Sequence, residues 1–173
     1  SSAVQDQLRD VCQVQATALA FAAILRDGSV IAWGSSDHGG DSSSVQGQLR
    51  SVQKLQAARN AFAAIREDGS VVAWGDPENG GDCSGVQDQL RRVKQVQATL
   101  YAFAAILDDG SVVTWGNPAH GGDSSAVKGQ LKNVQQVQAT SLAFAAVLKD
   151  GSVVTWGNHT AGGYLPEGQH LFL

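Results

Sequence analysis

The sequence has few cysteines and no long hydrophobic run. Its two cysteines, Cys12 and Cys83, belong to no Cys-x-x-Cys or Cys/His spacing, so we expect neither a structural metal site nor a disulfide framework. The longest apolar stretches, such as residues 18–25, fall well short of the roughly 18 residues that cross a membrane. The sequence therefore predicts no membrane span, and it leaves peripheral association with a membrane-bound partner open.

An excess of positive charge is also absent. The chain has 12 Lys and Arg residues against 16 Asp and Glu residues, a formal charge of −4, and both signs are spread evenly. No basic stripe that would neutralise phosphates results, so we expect no nucleic-acid partner. Because Ser1 already lies inside the repeat pattern described next, this end of the sequence carries no information on targeting or compartment.

The dominant feature of the sequence is a repeat with a period of 41 residues. The tetrapeptide Asp-Gly-Ser-Val recurs at this spacing, and so does Trp-Gly. When the copies are aligned without insertions, 19 of the 41 columns hold the same residue in all four. We expect four structural units at residues 1–41, 42–82, 83–123 and 124–164, followed by a non-repeat tail at 165–173.

Each unit contains a predicted β-hairpin. In the first copy, apolar segments at residues 21–25 and 30–33 flank Asp27-Gly28, a dipeptide that accepts the positive φ angles of a type I′ turn. Both segments are apolar at nearly every position, which is typical of a sheet covered on both faces. The predicted structural turn residues are Asp27, Gly28, Asp68, Gly69, Asp109, Gly110, Asp150 and Gly151.

A third strand is predicted before the hairpin. Residues 11–16 alternate in polarity, with Cys12, Val14 and Ala16 on one side and two glutamines on the other. This pattern indicates a half-solvated strand. Each unit is therefore expected to form a three-stranded antiparallel sheet.

A short helix is predicted at the start of each unit, because Val4, Leu8 and Val11 follow the spacing of one helix face. Ser43 and Gln46 have the spacing of a capping box. The same pair recurs as Ser2/Gln5 and Ser84/Gln87, while the fourth copy has Lys128 in place of the glutamine. A helix of about two turns is marginal alone and requires packing on the sheet.

The string Phe-Ala-Ala-Ile-Leu-x-Asp-Gly-Ser-Val-Val-x-Trp-Gly, preceded by Val-Gln-Ala-Thr and followed by a Gly-rich loop, resembles the RCC1 repeat over residues 1–164. The resemblance implies a mainly β fold, a β-propeller or partial propeller with four 41-residue units as blades. The unit is shorter than usual, its loop reads Gly39-Gly40-Asp41-Ser42, and four copies are too few for the family's complete ring.

The same resemblance implies several functions. Family members serve as guanine-nucleotide exchange factors, ubiquitin-ligase substrate modules, a light sensor and scaffolds. The glutamine-rich variant in this chain is also similar to RCC1- or HERC-like arrays of plastid-bearing unicellular algae. That likeness implies a plastid location and recruitment to a large complex, such as a photosynthetic membrane complex.

Repeated chemical groups each have a structural interpretation that competes with a catalytic one. The four Asp-Gly aspartates suggest a metal ring, but each occupies a turn position that favours Asp. The four tryptophans suggest a light-sensing cluster, but that activity needs further tryptophans and arginine-linked motifs that this chain lacks. The residues predicted to pack between blades are Phe21, Trp33, Phe62, Trp74, Phe103, Trp115, Phe144 and Trp156.

Other candidate sites are equally incomplete. His38 and His120 align with Asn79 and Ala161, so no constant set of metal ligands exists. Gly39-Gly40 could cradle a phosphate, but Asp41 follows and would repel it. No Ser, Cys or Lys nucleophile has a recurrent histidine near it. We expect no catalytic residue, no cofactor and no enzymatic activity.

Variation concentrates in one loop of each unit, at residues 35–40, 76–81, 117–122 and 158–163. The candidate partner-binding residues are His38, Pro77, Glu78, Asn79, Pro118, His120 and His159, with Leu171, Phe172 and Leu173 in the tail. We interpret the chain as a non-catalytic protein-binding scaffold, an accessory or stabilising subunit of a multi-subunit assembly. The alternative is a regulatory module that acts on a small GTPase or selects substrates for a ubiquitin ligase.

Overall fold

The computed structural model describes residues 2–166, with side chains from residue 4 onward. Twelve strands form four separate three-stranded antiparallel sheets, each in chain order, which we call blades 1 to 4. The strands are β1 Val11–Ala16, β2 Ala20–Leu25, β3 Val30–Gly34, β4 Val52–Ala57, β5 Ala61–Arg66, β6 Val71–Gly75, β7 Val93–Ala98, β8 Ala102–Leu107, β9 Val112–Gly116, β10 Val134–Ala139, β11 Ala143–Leu148 and β12 Val153–Gly157. The described part of the chain is a partial propeller.

Helical structure in the described residues is limited to single turns. The one α-helical turn is α1, Ser2–Gln5. The 3-10 turns are Ser36–His38, Gln46–Gln48, Pro77–Asn79, Ser84–Val86, Pro118–His120, Ser125–Val127 and His159–Ala161. No helix in residues 2–166 is long and apolar enough to cross a membrane.

The β2–β3 hairpin differs from the predicted type I′ turn. The Leu25 and Ser29 backbones pair across a three-residue loop, in which the Gly28 N–H also donates to the Leu25 carbonyl at 2.9 Å. Only Gly28 has a positive φ in this loop, at 79°, whereas a type I′ turn needs a second one at Asp27. The observed loop ends in a glycine bulge, in which Gly28 alone adopts a left-handed conformation.

The strand predicted at residues 11–16 is β1, the first strand of its blade, which we call the inner strand. Each inner strand contains a β-bulge, so the predicted alternation is wrong at Cys12. Val11 pairs with Leu25 and Gln13 with Ile24, which leaves Cys12 as the extra residue. In blade 2 the bulge turns Val52 and Leu55, three residues apart, into the core. The equivalent residues of blade 2 show the consequence, because Gln53 is exposed and Leu55 is buried. Cys12 therefore does not share a side with Val14 in the way that simple alternation requires.

The predicted two-turn helix is replaced by 3-10 turns. Gln46 does not close a capping box with Ser43. Instead, its side-chain N–H donates to the Val30 carbonyl of the preceding blade at 3.0 Å, and the Ser43 N–H donates to Asp41. Ser51 then adopts a φ of 52°, which ends any helical path and sends the chain into β4. The apolar spacing arises because Leu49 and Val52 pack between blades from different elements.

Three hydrophobic cores lie between successive blades. Each core joins two successive blades. The earlier blade contributes mostly small residues, and we call this side of a blade its trailing face. The later blade contributes larger residues, and we call this side of a blade its leading face. Between blades 1 and 2, for example, Ala22 and Val30 meet Leu55, Phe62 and Trp74. Side chains of a β-strand alternate between the two faces of its sheet. A blade in the interior of the array is covered on both faces, which explains why its strands are apolar at successive positions.

Each blade carries a stacked Phe–Trp pair on its leading face, where blades 2 to 4 pack against the preceding blade. Phe62 and Trp74 stack with their ring centroids 5.2 Å apart, and the equivalent pairs recur in the other blades. The Trp74 indole N–H crosses to the preceding blade and donates to the Gly39 carbonyl at 2.9 Å. A Cβ on Gly39 would lie 2.7 Å from the Phe62 ring, so glycine is needed there for close approach.

Candidate partner-binding face

The variable loops and a second set of turns lie at the same end of the blades. In blade 1, the Ser35 N–H donates to the Leu19 carbonyl at 2.9 Å, and the Thr17 hydroxyl donates to the His38 carbonyl at 2.9 Å. These bonds tie the loop after β3 to the turn between β1 and β2. We call this end the upper face, made of residues 17–19 and 35–40 and their counterparts 58–60, 76–81, 99–101, 117–122, 140–142 and 158–163.

The variable loops that follow β3, β6, β9 and β12, which we call the outer loops, are held in place by hydrogen bonds from polar side chains within each loop. The Asp76 carboxylate accepts the Glu78 N–H at 3.0 Å, and Pro77 occupies the first position of the 3-10 turn. The Asn117 and Asn158 side chains accept equivalent N–H groups, also at 3.0 Å. The loops therefore present their outward side chains in a fixed conformation.

The structure separates the predicted loop residues into two groups. Exposed on the surface are Pro77, Glu78, Pro118 and His159. Half-buried and bonded to the first residue of their own loop are His38, Asn79 and His120. The tail residues Leu171, Phe172 and Leu173 lie outside the described residues. The first group is free to contact a partner directly, whereas the second shapes the loops.

Sequence reasoning missed the turns between the first two strands of each blade, which we call the inner turns. They lie side by side, since the Ala18 N–H donates to the Arg59 carbonyl, the Arg59 N–H to Leu100 and the Leu100 N–H to Ser141, at 2.8 to 2.9 Å. All four turns line one cavity of about 640 Å³. The signal in the sequence was that this repeat column holds a different residue in every copy: Ala18, Arg59, Leu100 and Ser141.

A cation and two rings join the inner turns to an outer loop. Arg59 donates to the Tyr101 hydroxyl at 2.9 Å, and its guanidinium carbon lies 5.9 Å from the centre of the Tyr101 ring. The Tyr101 and His120 ring centroids are 4.9 Å apart. Arginine and tyrosine are enriched among the residues that anchor protein interfaces. This Arg59–Tyr101–His120 cluster is the most chemically distinctive part of the upper face.

The opposite end, the lower face, carries the Asp-Gly turns. The Asp27 carboxylate accepts the Ser29 hydroxyl at 2.6 Å and the Ser29 N–H at 2.9 Å, and these bonds hold its pKa below the ordinary value. The same bonds lower the pKa of Asp68, Asp109 and Asp150. Within residues 2–166 no three His, Cys, Asp or Glu side chains are grouped so that they could hold a metal ion.

Variation between the copies is greater on the upper face. Seven columns of the upper face vary, represented in the first copy by residues 17–19 and 35–38, whereas the lower face varies mainly at two, Asp10 and Arg26. The Asp10 column holds four different residues, yet its backbone is left-handed in all four copies. The backbone conformation at this position is therefore independent of the side chain. The upper face therefore carries most of the variation between copies, while the recurrent Asp and Ser side chains of the lower face are bonded to each other within their turns.

The comparisons with known proteins concern the fold. No protein-family model and no curated protein sequence matches the chain. Among solved structures, yeast RCC1 (Prp20) bound to Kap60 superposes with a TM-score of 0.62 at 19% identity, over 85% of this chain and 43% of that one. A second Prp20 structure gives the same TM-score and identity. Human WBSCR16 gives a TM-score of 0.59 at 18% identity, over 90% of this chain and 50% of that one.

This chain thus spans about half the length of the solved chains that it matches. The matches extend over 85% to 90% of its own length. The sequence-based expectation of a propeller built from these repeats is confirmed. The chain has an RCC1-like β-propeller fold, in the form of a four-bladed partial propeller.

Proposed function

We propose that this chain is a non-catalytic protein-binding module whose upper face holds the partner. The observation that carries the proposal is the contrast between constant blades and varied upper-face residues. The blades supply identical interfaces, while the inner turns supply Ala18, Arg59, Leu100 and Ser141 to one cavity. A repeat scaffold that keeps its core and varies its surface is typical of recognition.

The cavity favours a partner with both apolar and hydrogen-bonding groups. Ala18 and Leu100 contribute apolar lining, and among the described residues that line the cavity Arg59 alone is charged. Around it, the exposed residues Pro77, Glu78 and Pro118 add an outer ring of contacts. Such an apolar centre with a polar rim matches the anatomy of protein interfaces. A role as an accessory subunit of a larger assembly fits a rigid scaffold with several small contacts.

A regulatory role is the second candidate, and the solved relatives of the fold favour it. One Prp20 structure contains Kap60, and another describes binding to Gsp1p and histones. Those partners belong to Prp20, with which this chain shares 19% identity. Action on a small GTPase, or substrate selection for a ubiquitin ligase, would use the same upper face. The structural comparisons, which include yeast and human proteins, give no support to the algal and photosynthetic interpretation.

Exchange of side chains between equivalent positions tests the proposal without new backbone strain. The upper-face variant carries Arg59→Ala, Leu100→Ala and Tyr101→Leu, the residues that the first copy has in these columns. The matched lower-face control carries Glu67→Arg and Asp108→Arg, again the first-copy residue. We expect the upper-face variant to lose co-purifying proteins from the native source, as identified by mass spectrometry, and the control to keep them.

Equal retention by both variants, or loss only with the lower-face control, would contradict the proposal. If a captured partner is a small GTPase, the rate of guanine-nucleotide release from it separates the two candidates. Acceleration by the intact chain that the upper-face variant lacks would favour the regulatory role. Unchanged release alongside stable binding would favour the scaffold.

A further inference from the structure

The two ends of the array expose complementary halves of the interface that joins its blades. We propose that blade 4 of one copy of this chain packs against blade 1 of a second copy, through the same contacts that join successive blades within the chain. This association uses the blade faces and goes beyond the partner binding proposed for the upper face.

The leading face of blade 1 is an uncovered apolar surface. Phe21 is 46% exposed, whereas its counterpart Phe62 is fully buried against the preceding blade. Val14 is 49% exposed, against 4% for Leu55 in the same column. These side chains are as large as those that fill the three internal cores. Blade 1 therefore displays a surface that the fold buries wherever a preceding blade is present.

The trailing face of blade 4 offers the matching hollow. Inside the array, a Cβ on Gly39, Gly80 or Gly121 would meet a phenylalanine ring of the next blade within 2.7 Å. A Cβ on the equivalent Gly162 would meet no atom of residues 2–166 within 4 Å. Val153 is likewise 39% exposed, whereas its counterpart Val30 is fully buried. Gly162 thus has the same left-handed backbone as Gly39, against which Phe62 packs, but no phenylalanine of the described residues packs against it.

Hydrogen-bonding groups at the two ends are also complementary. Trp74, Trp115 and Trp156 each donate to a glycine carbonyl of the preceding blade, but among the described residues the Trp33 N–H has no acceptor and the Gly162 carbonyl no donor. The inner-turn chain of bonds ends in the same way. Within residues 2–166, the Ser141 N–H has no acceptor and the Ala18 carbonyl no donor. A head-to-tail contact pairs each donor with its acceptor.

Two copies also account for the length of the fold. Prp20 and WBSCR16 are about twice as long as this chain, which spans 43% and 50% of them. Two four-bladed copies contain eight blades, enough chain for a structure of that size. Because the contact is heterologous, a dimer that closes into a ring buries both open faces of both copies, whereas an open chain leaves two exposed. We therefore expect a closed dimer.

The test measures molecular mass in solution by sedimentation or light scattering. Val14→Glu places a charge on the leading face and Val153→Glu on the trailing face, at side chains that are well exposed within one copy. Gln53→Glu is the control, since it adds the same charge at an exposed position of the inner strand of blade 2. We expect the native chain and the control to be dimers, and the two variants to associate about 30-fold or more weakly.

Mixing the two variants identifies a head-to-tail contact. Each retains the face that the other has lost, so a mixture at high concentration should form a heterodimer while either variant alone stays monomeric. Circular dichroism of each variant shows that the blades are intact. A monomeric native chain, a dimer insensitive to both substitutions, or a mixture that stays monomeric would overturn the proposal. So would an intact chain that is monomeric and associates only after deletion of residues 167–173, because the tail would then be the occupant.

Discussion

At the scale of single residues, the lower-face aspartates link stability to pH. Asp27 and its three counterparts accept both a serine hydroxyl and a serine N–H, which lowers their pKa. Because the pKa in the folded chain lies below that in the unfolded chain, these carboxylates add stability above the unfolded value. That contribution disappears as the pH falls through the folded value, which places the effect below the ordinary pKa of 3.8.

The pH effect is testable with asparagine, which keeps an acceptor for the Ser29 N–H but does not titrate. We expect the native chain to lose more melting temperature between about pH 6 and about pH 3 than a variant with Asp27, Asp68, Asp109 and Asp150 all changed to Asn. Thermal melts followed by circular dichroism measure both. An equal loss would show that these carboxylates do not carry the acid sensitivity.

Tryptophan provides a second comparison between equivalent residues. The Trp74 indole N–H donates to the buried Gly39 carbonyl, whereas the Trp33 N–H has no acceptor among residues 2–166. Trp74→Phe leaves that carbonyl without its donor and should cost about 1–3 kcal/mol beyond the lost ring volume. Trp33→Phe loses similar volume and no such bond, so we expect a smaller cost. Urea unfolding of both variants in a dilute sample, in which no second copy covers blade 1, gives the comparison, and equal costs would contradict it.

At the scale of elements, the Asp-Gly turn has two separate requirements for glycine. Gly110 has a φ of 79°, and a Cβ on it would lie 2.9 Å from the Asn133 Cα of the next blade. Gly151 has a φ of 86°, and a Cβ on it would meet no atom of the described residues within 4 Å, because it lies in blade 4. The first residue combines backbone conformation with packing between blades, and the second has conformation alone.

Alanine at each position separates the two requirements. Gly151→Ala should cost about 1–2 kcal/mol for a left-handed residue with a Cβ. Gly110→Ala should cost at least about 1 kcal/mol more, because the Asn133 backbone must move. The free energy of unfolding in urea, measured in a dilute sample in which no second copy covers blade 4, gives both costs. Equal costs would show that the turn does not contact the following blade closely.

The elements also show how far the sequence predicts this fold. The apolar segments on either side of Asp-Gly predicted both hairpin strands correctly, because a strand that is covered on two faces has no polar side. The β-bulge was hidden in the first copy, because Cys12 imitates an apolar position of a regular strand. The second copy carries the signal, since Val52-Gln53-Lys54-Leu55 places two polar residues between apolar ones. The supposed helix failed for a similar reason. Leu49 and Val52 share a core through a left-handed Ser51, and residue spacing does not distinguish that geometry from a helical turn.

The candidate face was predictable only in part. The outer loops stood out by their variation, but the inner turns vary at only three columns, and the sequence does not show that they lie at the same end of the blades. That neighbourhood depends on bonds such as Thr17 to His38, which are 21 residues apart in the chain. The Arg59–Tyr101–His120 cluster depends on contact between adjacent blades, so only the assembled fold brings it together.

At the scale of the whole molecule, stability should follow a blade's position in the array. Blades 2 and 3 are covered on both faces by neighbours, whereas blade 1 exposes its leading face and blade 4 its trailing face. In stacked repeats, stability is roughly the sum of each unit's own contribution and its interfaces with neighbours. An end blade with one interface should therefore open more often than an interior blade with two.

Hydrogen exchange measures this directly, because amides exchange when their blade opens. In a dilute sample of the native chain, we expect the amides of β5 and β8 to be the best protected, and those of β2 and β11 to exchange faster although the four strands have almost the same sequence. Raising the protein concentration should slow exchange in β2 and β11 selectively if a second copy covers the end blades. The Val14→Glu variant is the control, because its exchange should not depend on concentration. Uniform protection of the four strands in the dilute sample would mean that the array opens as one cooperative unit, and the additive description of its blades would then be wrong.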